Sequence, residues 1–295
     1  MSAGLDPEAG AAVEAVLARR SPGAVVEADN LDLLAVLPDG CVDLAYADPP
    51  FATGSARRLQ SIRLGAGERQ RRGFRGELAP YEVTSDLAYE DALPLSEHLA
   101  ALRRRVEEVH RVLAPDGSLF LHVDWRTVHH VRLMLDEVFG AQRFLNEIVW
   151  AYDYGGRSRD RWPRKHDTIL WYARGERWLF DREAVDRVPY LAPGLVGPEK
   201  AARGKLPTDV WWMTIVPPGG RERTGYPTQK PVRLLERIVA ASSRPDDLVL
   251  DPYAGSGTTG VAAARLGRRW LLADRNPAAV AIARRRLAGD QGAGS

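Results

Sequence analysis

Apolar positions along this chain follow two rhythms. Short, mainly apolar runs predict strands at Ala24–Asn30, Val42–Ala47, Ser118–Val123, Leu145–Tyr152, Asp167–Tyr172, Leu248–Asp251 and Trp270–Asp274. Between several of them the spacing turns helical. Leu99, Leu102, Val106, Val109 and Leu113 are 3, 4, 3 and 4 apart, which predicts one apolar helix face. Val128, Val131, Leu135 and Val138 predict a second such helix, stopped by Gly140. Pro231 suits the first turn of a third, which carries Leu234, Leu235, Ile238 and Val239. A fourth, Thr259–Leu266, closes at Gly267. Pro38-Asp39-Gly40 and Pro115-Asp116-Gly117 read as turns, and the Ala- and Glu-rich residues 1–20 as a peripheral helical segment. Strands that alternate with helices predict an α/β fold with a mostly parallel, doubly wound sheet. Two stretches, 52–91 and 176–223, carry neither rhythm. Loops of that length are uncommon unless they are functional.

Composition narrows the class. At 295 residues and 45% hydrophobic content the chain can bury a full core, and 27% charge is ordinary for a folded protein. The longest apolar runs, such as Ala11–Leu17, are far short of a membrane span, and no secretory signal opens the chain. Cys41 is the single cysteine, which excludes an internal disulfide and a Cys-rich zinc site; the expectation is a reducing cytoplasm. Net charge is only +2, but its distribution is uneven. Seven arginines face two glutamates between Thr53 and Glu77, and seven basic residues face three acids between Gly155 and Arg177.

Two segments carry chemistry. Leu248 to Gly260, LVLDPYAGSGTTG, is a strand, a glycine-rich turn and a helix start. Gly255 and Gly257 allow close backbone approach to a ligand, and Ser256, Thr258 and Thr259 can cap a helix N-terminus suited to an anion. No GK[ST] follows, which argues against ATP or GTP; Gly255, Gly257 and Gly260 do have the spacing of a dinucleotide site. Asp251 ends one strand, where it can meet a cationic amine, and Asp274 ends the next, where an acid receives ribose hydroxyls. A ligand with an amino acid end and a ribose end is S-adenosylmethionine.

The second segment is Asp48-Pro49-Pro50-Phe51, at the carboxyl end of a buried strand. An exocyclic amine on a nucleobase is a poor nucleophile because its lone pair is delocalised into the ring. Acceptors placed out of the ring plane free that pair for attack on a methyl sulfonium. Asp48 supplies one acceptor and the Pro49 carbonyl the other. Pro50 biases Pro49 to an extended conformation, and Phe51 offers a face for an extruded base.

These residues resemble the β-group DNA amino-methyltransferases of bacteria, in which the catalytic motif precedes the cofactor loop. Here ADPPF at 47–51 precedes TGYPTQKP at 224–231 and DPYAGSGTTG at 251–260. The resemblance covers roughly residues 24–287. It implies a Rossmann-like, seven-stranded, mostly parallel methyltransferase sheet with circularly permuted motif order and S-adenosylmethionine across the strand ends. Carried over by position, Asp251, Ala254 and Gly255 would line the methionine side, with Asp274 on the ribose; Tyr253, Ser256, Gly257 and Thr258 would also bind the cofactor. Asp29 and Asn30 would lie near the adenine, and Thr228, Gln229 and Lys230 beside the methionine end. Asp48, Pro49, Pro50 and Phe51 would hold the target base. Two departures stand out: Phe51 replaces the more frequent Tyr, and Tyr253 replaces the usual Phe, adding a hydroxyl that needs a partner.

The implied domain spans 21–288, with a mobile DNA-contact loop inserted at 52–91, a target-recognition region at 176–223 and a disordered tail at 289–295. Arg57, Arg58, Arg63, Arg71 and Arg72 would contact DNA from the loop; Arg157, Arg159, Arg161, Arg164 and Lys165 would contact phosphates. The implied activity is methylation of adenine N6 in double-stranded DNA by base flipping. Cytosine N4 is the alternative, disfavoured because β-group N4 enzymes usually carry Ser at the position of Asp48. A catalytically silent regulator that binds the cofactor or DNA is a third reading, against which the intact Asp48 argues. Whether the chain forms a homodimer, and whether a cognate restriction endonuclease accompanies it, stay open; a cytoplasmic, nucleoid-associated location follows from the substrate. His122, Asp124, His129 and His130, and the His166-Asp167 pair, do not make a metal site by spacing, and methyl transfer needs none.

Overall fold

The computed structural model describes residues 4–51, 57–72, 78–89, 94–217 and 219–291. Its elements are α1 (Pro7–Leu17), β1 (Gly23–Glu27), α2 (Asn30–Val36), β2 (Val42–Ala47), β3 (Arg57–Arg72), β4 (Leu78–Tyr89), α3 (Leu95–Val112), β5 (Leu113–Val123), α4 (Val128–Phe139), β6 (Phe144–Ala151), β7 (His166–Ala173), α5 (Pro198–Arg203), β8 (Val210–Trp212), α6 (Val232–Ser242), β9 (Leu248–Asp251), α7 (Thr258–Arg265), β10 (Arg269–Asp274) and α8 (Pro277–Gln291).

Eight strands form one sheet in the order β1-β10-β9-β2-β5-β7-β6-β8. From β1 to β5 every neighbour runs parallel; β7 is antiparallel to both β5 and β6, and β8 is parallel to β6. The sheet is thus α/β and mostly parallel, with one strand more than the seven expected. The extra strand is β8, three residues from within 176–223, paired through Trp150↔Trp211. Chain order explains the rest. The early strand β2 lies between β5 and the late strand β9, so the two ends of the chain meet at the middle of the sheet.

Central parallel strands are covered on both faces, and their middles are accordingly apolar, as at residues 44–47, 248–250 and 270–273. One core packs α1, α2, α3 and α4 residues such as Val13, Leu33, Leu34, Val106, Val109 and Leu135 against Leu121, Leu250 and Leu271. The other packs Leu235, Ile238 and Val239 of α6, Val261 of α7 and Val280 of α8 against Leu44, Val249 and Leu272. Local chemistry sets the helix ends. Asp6 caps α1 by accepting from the Ala9 N–H at 2.8 Å, with Pro7 in the first turn. Arg111 of α3 donates to the carbonyls of Leu34 and Leu37 at 2.7 and 2.9 Å, which satisfies acceptors at the end of α2. Gly140, at φ +92°, ends α4.

The Pro115-Asp116-Gly117 turn is absorbed into β5 as an irregularity. The register against β2 slips from Val42↔Leu113 to Leu44↔Ser118, and Pro115 and Asp116 are exposed. Of the two stretches without rhythm, 176–223 is mainly irregular and is tied to α6 by a two-pronged ion pair. Arg237 Nε and Nη2 donate to Asp186 at 2.7 and 2.9 Å, and its guanidinium lies over the buried Trp211 ring. Trp212, by contrast, is 72% exposed. The other stretch belongs to a separate compact unit, residues 50–98. There β3 and β4 pair antiparallel from Arg57↔Tyr89 to Arg72↔Leu78, with shifts after Ser61 and Leu64. The segment expected to be a loop therefore has a hairpin backbone over 57–72 and 78–89. At the C-terminus α8 runs to Gln291, so only 292–295 of the expected tail lie outside the described residues. Among those described, no helix is long and apolar enough to cross a membrane.

Gly23 shows how closely the edge of the sheet is packed. A Cβ there would fall 2.0 Å from two carbons of the Trp270 ring, which is itself buried. Gly23→Val should therefore destabilise the protein by about 1–3 kcal/mol through overpacking. A lower denaturation midpoint with an unchanged m-value would show it, and an unchanged midpoint would mean the ring repacks freely.

Candidate active site

The carboxyl ends of β1, β10, β9 and β2 lie side by side, as the pairs Glu27↔Asp274, Leu272↔Asp251 and Ala45↔Leu250 require. Each strand ends on polar residues, and these ends carry most of the residues expected to bind. Open α/β sheets place ligands at such an edge.

Asp251 is fully buried. Its Oδ1 accepts from the Tyr253 N–H at 2.9 Å and its Oδ2 from the Thr259 hydroxyl. Burial, and next to it the charges of Asp48 and Asp274, push its carboxyl up to about 7 even though those hydrogen bonds oppose the shift. Asp274 accepts from Gly255 N–H and Asn276 N–H at 2.9 Å each, and burial moves it upward too. The intervening turn depends on its glycines. Gly255 and Gly257 have φ of +50° and +75°, and a Cβ on Gly255 would meet the Tyr226 ring at 3.1 Å. Gly257 caps α7, a place expected for the hydroxyls. Those hydroxyls have other partners. Thr259 binds Asp251, Thr258 donates to the Lys230 carbonyl at 3.1 Å, and Arg286 Nη1 donates to Thr258 Oγ1 at 2.8 Å and to Ser256 Oγ at 3.4 Å. Ser256 and Thr258 thus fasten the turn to its neighbours, and Ala254 is held by its N–H on the Ala273 carbonyl.

Asp29 caps α2 through the Leu31 N–H and pairs with Arg105 at 3.2 Å. Asn30 bridges the two halves of the site: its Nδ2 donates to the Pro252 carbonyl at 3.2 Å while Arg105 Nε donates to its Oδ1 at 2.6 Å. It is also the hydrogen-bond partner of the Tyr253 hydroxyl, whose ionisation burial pushes up to about 12. The extra hydroxyl is thereby accommodated.

Between these ends lies the 224–231 segment. Gln229 is buried and holds the loop from inside, accepting from Thr224 N–H and Oγ1 and donating to the Glu222 carbonyl at 2.6 Å. Thr228 shares a hydrogen bond with the Tyr226 hydroxyl. Lys230, 10% exposed, directs Nζ onto Asp48 Oδ2. The other carboxylate oxygen, Asp48 Oδ1, is buried and has no hydrogen-bond partner among the described residues. Pro49 is buried beside it. Pro50 and Phe51 open the 50–98 unit, as do the arginines at 57, 58, 63, 71 and 72, which all lie on β3.

The basic stretch after β6 is exposed. Arg164 stacks over Trp125 at 3.5 Å with Arg126 on the same ring at 4.7 Å, Lys165 donates to the Gly155 carbonyl at 2.9 Å, and Arg161 pairs with Asp160. Arg157 and Arg159 are exposed there, as are Trp162 and Tyr154. Sequence reasoning missed Tyr226, Arg105 and Arg286. It considered His122 and Asp167 only as metal ligands, whereas they hydrogen-bond one another, and Asp124 takes the guanidinium of Arg126. Tyr226 lies within the TGYPTQKP motif, which was the available signal.

Comparison with known proteins agrees with this arrangement. A family model described as DNA methylase, covering the N6 and N4 methyltransferases, matches residues 42–285. The type II methyltransferase M.BglII of Bacillus subtilis is 28% identical over 285 residues, covering 90% of this chain and 69% of that protein. M.HpaI of Haemophilus parainfluenzae is 30% identical over 210 residues, 70% of this chain and 65% of its own. The chain thus spans about two thirds of the length of both relatives. Among solved structures, the cytosine-N4-specific PvuII DNA methyltransferase shares the fold with a TM-score of 0.63 at 20% identity, over 90% of this chain and 86% of its own. An S-adenosylmethionine complex of M1.HpyAVI gives 0.57 at 20% identity, over 90% and 98%. With a family model matched over residues 42–285, the chain belongs to the N6/N4 DNA methylase family, the bacterial DNA amino-methyltransferases that take their methyl group from S-adenosylmethionine.

Proposed function

We propose that this chain methylates the N6 amino group of adenine in duplex DNA. The observation that carries the reading is the Asp48 carboxylate. One oxygen is engaged by Lys230, and the other is buried at the sheet edge with no hydrogen-bond partner among the described residues. A buried carboxylate oxygen without a donor is costly in a purely structural role. It suits an incoming N–H. Asp48 and the Pro49 carbonyl then accept the two amine hydrogens, which draws the nitrogen lone pair out of the ring, and the proton released on methylation leaves by the Asp48 side. Asp48→Ala should keep cofactor binding and lose transfer to duplex DNA by at least about 100-fold. Transfer at the wild-type rate by the purified variant would refute the assignment.

The residues present fit S-adenosylmethionine, whose sulfonium supplies an electrophilic methyl group. Asp251 would take its ammonium and Asp274, already held by two N–H groups, its ribose hydroxyls; Asp29 and Asn30 would border the adenine. Asp251 gives this a pH signature. Its folded value, about 7, lies above the ordinary 3.8, so its contribution to stability is complete below about pH 4 and is lost as pH rises through 7. An ammonium binds the ionised form. Cofactor affinity measured by calorimetry should therefore tighten roughly tenfold between about pH 5.5 and pH 7, and Asp251→Asn should flatten both that slope and the pH dependence of melting. A pH-independent wild-type affinity would move the ammonium elsewhere.

DNA is held, in this reading, by the exposed stretch 153–165, which leaves the same sheet edge, and by the arginines of β3. Phosphate contacts there would position the duplex without reading its sequence. Replacing Arg157, Arg159 and Arg164 together should lessen the slope of log affinity against log salt by up to about 3. An unaltered slope would return the stretch to solvent.

Cytosine N4 is the second reading, favoured by the fold likeness to the N4-specific PvuII enzyme; a carboxylate rather than a hydroxyl at position 48 supports adenine. Mapping modified bases in DNA from cells that express the chain separates the two. The DNA substrate would place the protein in the cytoplasm beside the nucleoid.

A further inference from the structure

The basic stretch between β6 and β7 is anchored where the middle strands of the sheet end. β7 pairs with β5 through Val123↔Thr168 and with β6 through Ala151↔His166, so the link over 152–165 leaves the edge on which β5 also ends. Its two ends are fastened to each other. Tyr152 N–H donates to the Lys165 carbonyl at 3.0 Å, and Lys165 Nζ donates to the Gly155 carbonyl at 2.9 Å. Ala47 pairs with Leu121 in the parallel register of β2 and β5, which sets Asp48 level with His122. Trp125 comes a few residues further along, at most roughly 10 Å beyond Asp48 in the strand direction.

Trp125 is fixed by its neighbours in sequence. Asp124, 3% exposed, accepts from Arg126 N–H through Oδ1 at 2.9 Å and pairs with the Arg126 guanidinium through Oδ2. Its carbonyl accepts from the Thr127 and Val128 N–H groups at 3.2 and 3.1 Å, which joins this turn to the start of α4. Two guanidiniums lie over the Trp125 ring, that of Arg126 at 4.7 Å and that of Arg164 at 3.5 Å. Asp124 answers the charge of Arg126. Arg164 is exposed, and among the described residues no carboxylate pairs with it; its contact is the ring.

A guanidinium stacked on a ring keeps its N–H donors available, because stacking occupies its face and leaves its edge open. That edge matches a phosphate bidentately. The stack also removes side-chain freedom before any ligand arrives, which favours binding. A nucleotide swung out of a duplex with its amine at Asp48 carries its phosphates on the sugar side, outward from the sheet edge. Holding one of them offsets part of the cost of unpairing and unstacking the base. We propose that Trp125 is a positioning residue that presents the Arg164 guanidinium to a phosphate flanking the extruded nucleotide, so that the backbone is gripped while the base is at Asp48. The proposal rests on the reading of Asp48 as amine acceptor in duplex DNA. It sets Arg164 apart from Arg157 and Arg159, which no ring holds among the described residues and which serve the duplex as charge alone.

The test measures binding of the full chain to a duplex that carries the site modified in cells, with single phosphates beside the target nucleotide replaced in turn by uncharged methylphosphonate. At one flanking position the replacement should weaken wild-type binding about 5-fold or more. In Arg164→Gln the same replacement should cost less than about twofold, because the cation that the phosphate met is gone. Trp125→Leu keeps every charge, so its salt slope should match the wild type. It should nevertheless lose the same phosphate dependence and slow single-turnover methyl transfer about threefold or more, and Trp125→Phe should restore both. Equal methylphosphonate costs in wild type and Arg164→Gln at every flanking position would overturn the proposal, and a Trp125→Leu protein that keeps the dependence would overturn the role of the ring. Should Trp125→Leu lower the melting temperature, Arg164→Lys keeps the charge but gives up the planar stack. It should at least halve the methylphosphonate cost with the salt slope unchanged; a full cost there would count against the proposal. Asp48→Ala run in parallel keeps the two readings apart, because binding does not require transfer. Transfer by Asp48→Ala refutes the acceptor assignment, whereas an inactive Asp48→Ala beside unchanged phosphate costs in Arg164→Gln refutes the role of Arg164 alone.

Discussion

One ion pair joins what the chain order separates. Lys230 and Asp48 are 182 positions apart and meet where the middle strands of the sheet end. Each is mostly withdrawn from water, and each offsets the charge of the other. The pair also locates the rest of the edge. Lys230 lies just before α6 with its carbonyl bonded to Thr258, the first residue of α7, and so connects the end of β2 to the glycine turn. Asp251, Asp274 and Tyr226 crowd the same region. Asp251 is displaced upward first by its burial and then by the charges of Asp48 and Asp274.

Much of this was readable from residue order, because the informative signals were local. A short, mainly apolar run, Val42–Ala47, followed by an acid and a proline pair gives both the strand β2 and the position of Asp48. Strand, glycine turn and helix follow one another within 248–265, so no distant partner is needed to recognise them. Helix ends likewise carry their own marks, as at Asp6 and Gly140.

What escaped was set by pairing rather than by pattern. β8 is only three residues long, alternately exposed and buried, and is a strand only because β6 lies beside it. Residues 57–72 are too rich in arginine and glycine to show a period of two, yet their backbone pairs antiparallel with 78–89. The hydrogen-bonded chain from Tyr46 through His122 and Asp167 to Tyr152 joins four strands or their ends, and its members meet only through the register. Spacing alone dismisses His122 and His166-Asp167 as metal ligands, but only their mutual geometry shows a hydrogen-bond network.

The permuted strand order has a bearing on how the molecule is made. β2 emerges early from the ribosome, but one of its edges must wait for β9, roughly two hundred residues later, before its backbone groups are paired. Until then it presents an open, apolar strand edge to the cell. Synthesis of this chain should therefore depend on chaperone cover more than that of an unpermuted relative, and a nascent fragment, lacking both the lysine and the glycine turn, would be chemically inert toward the chromosome.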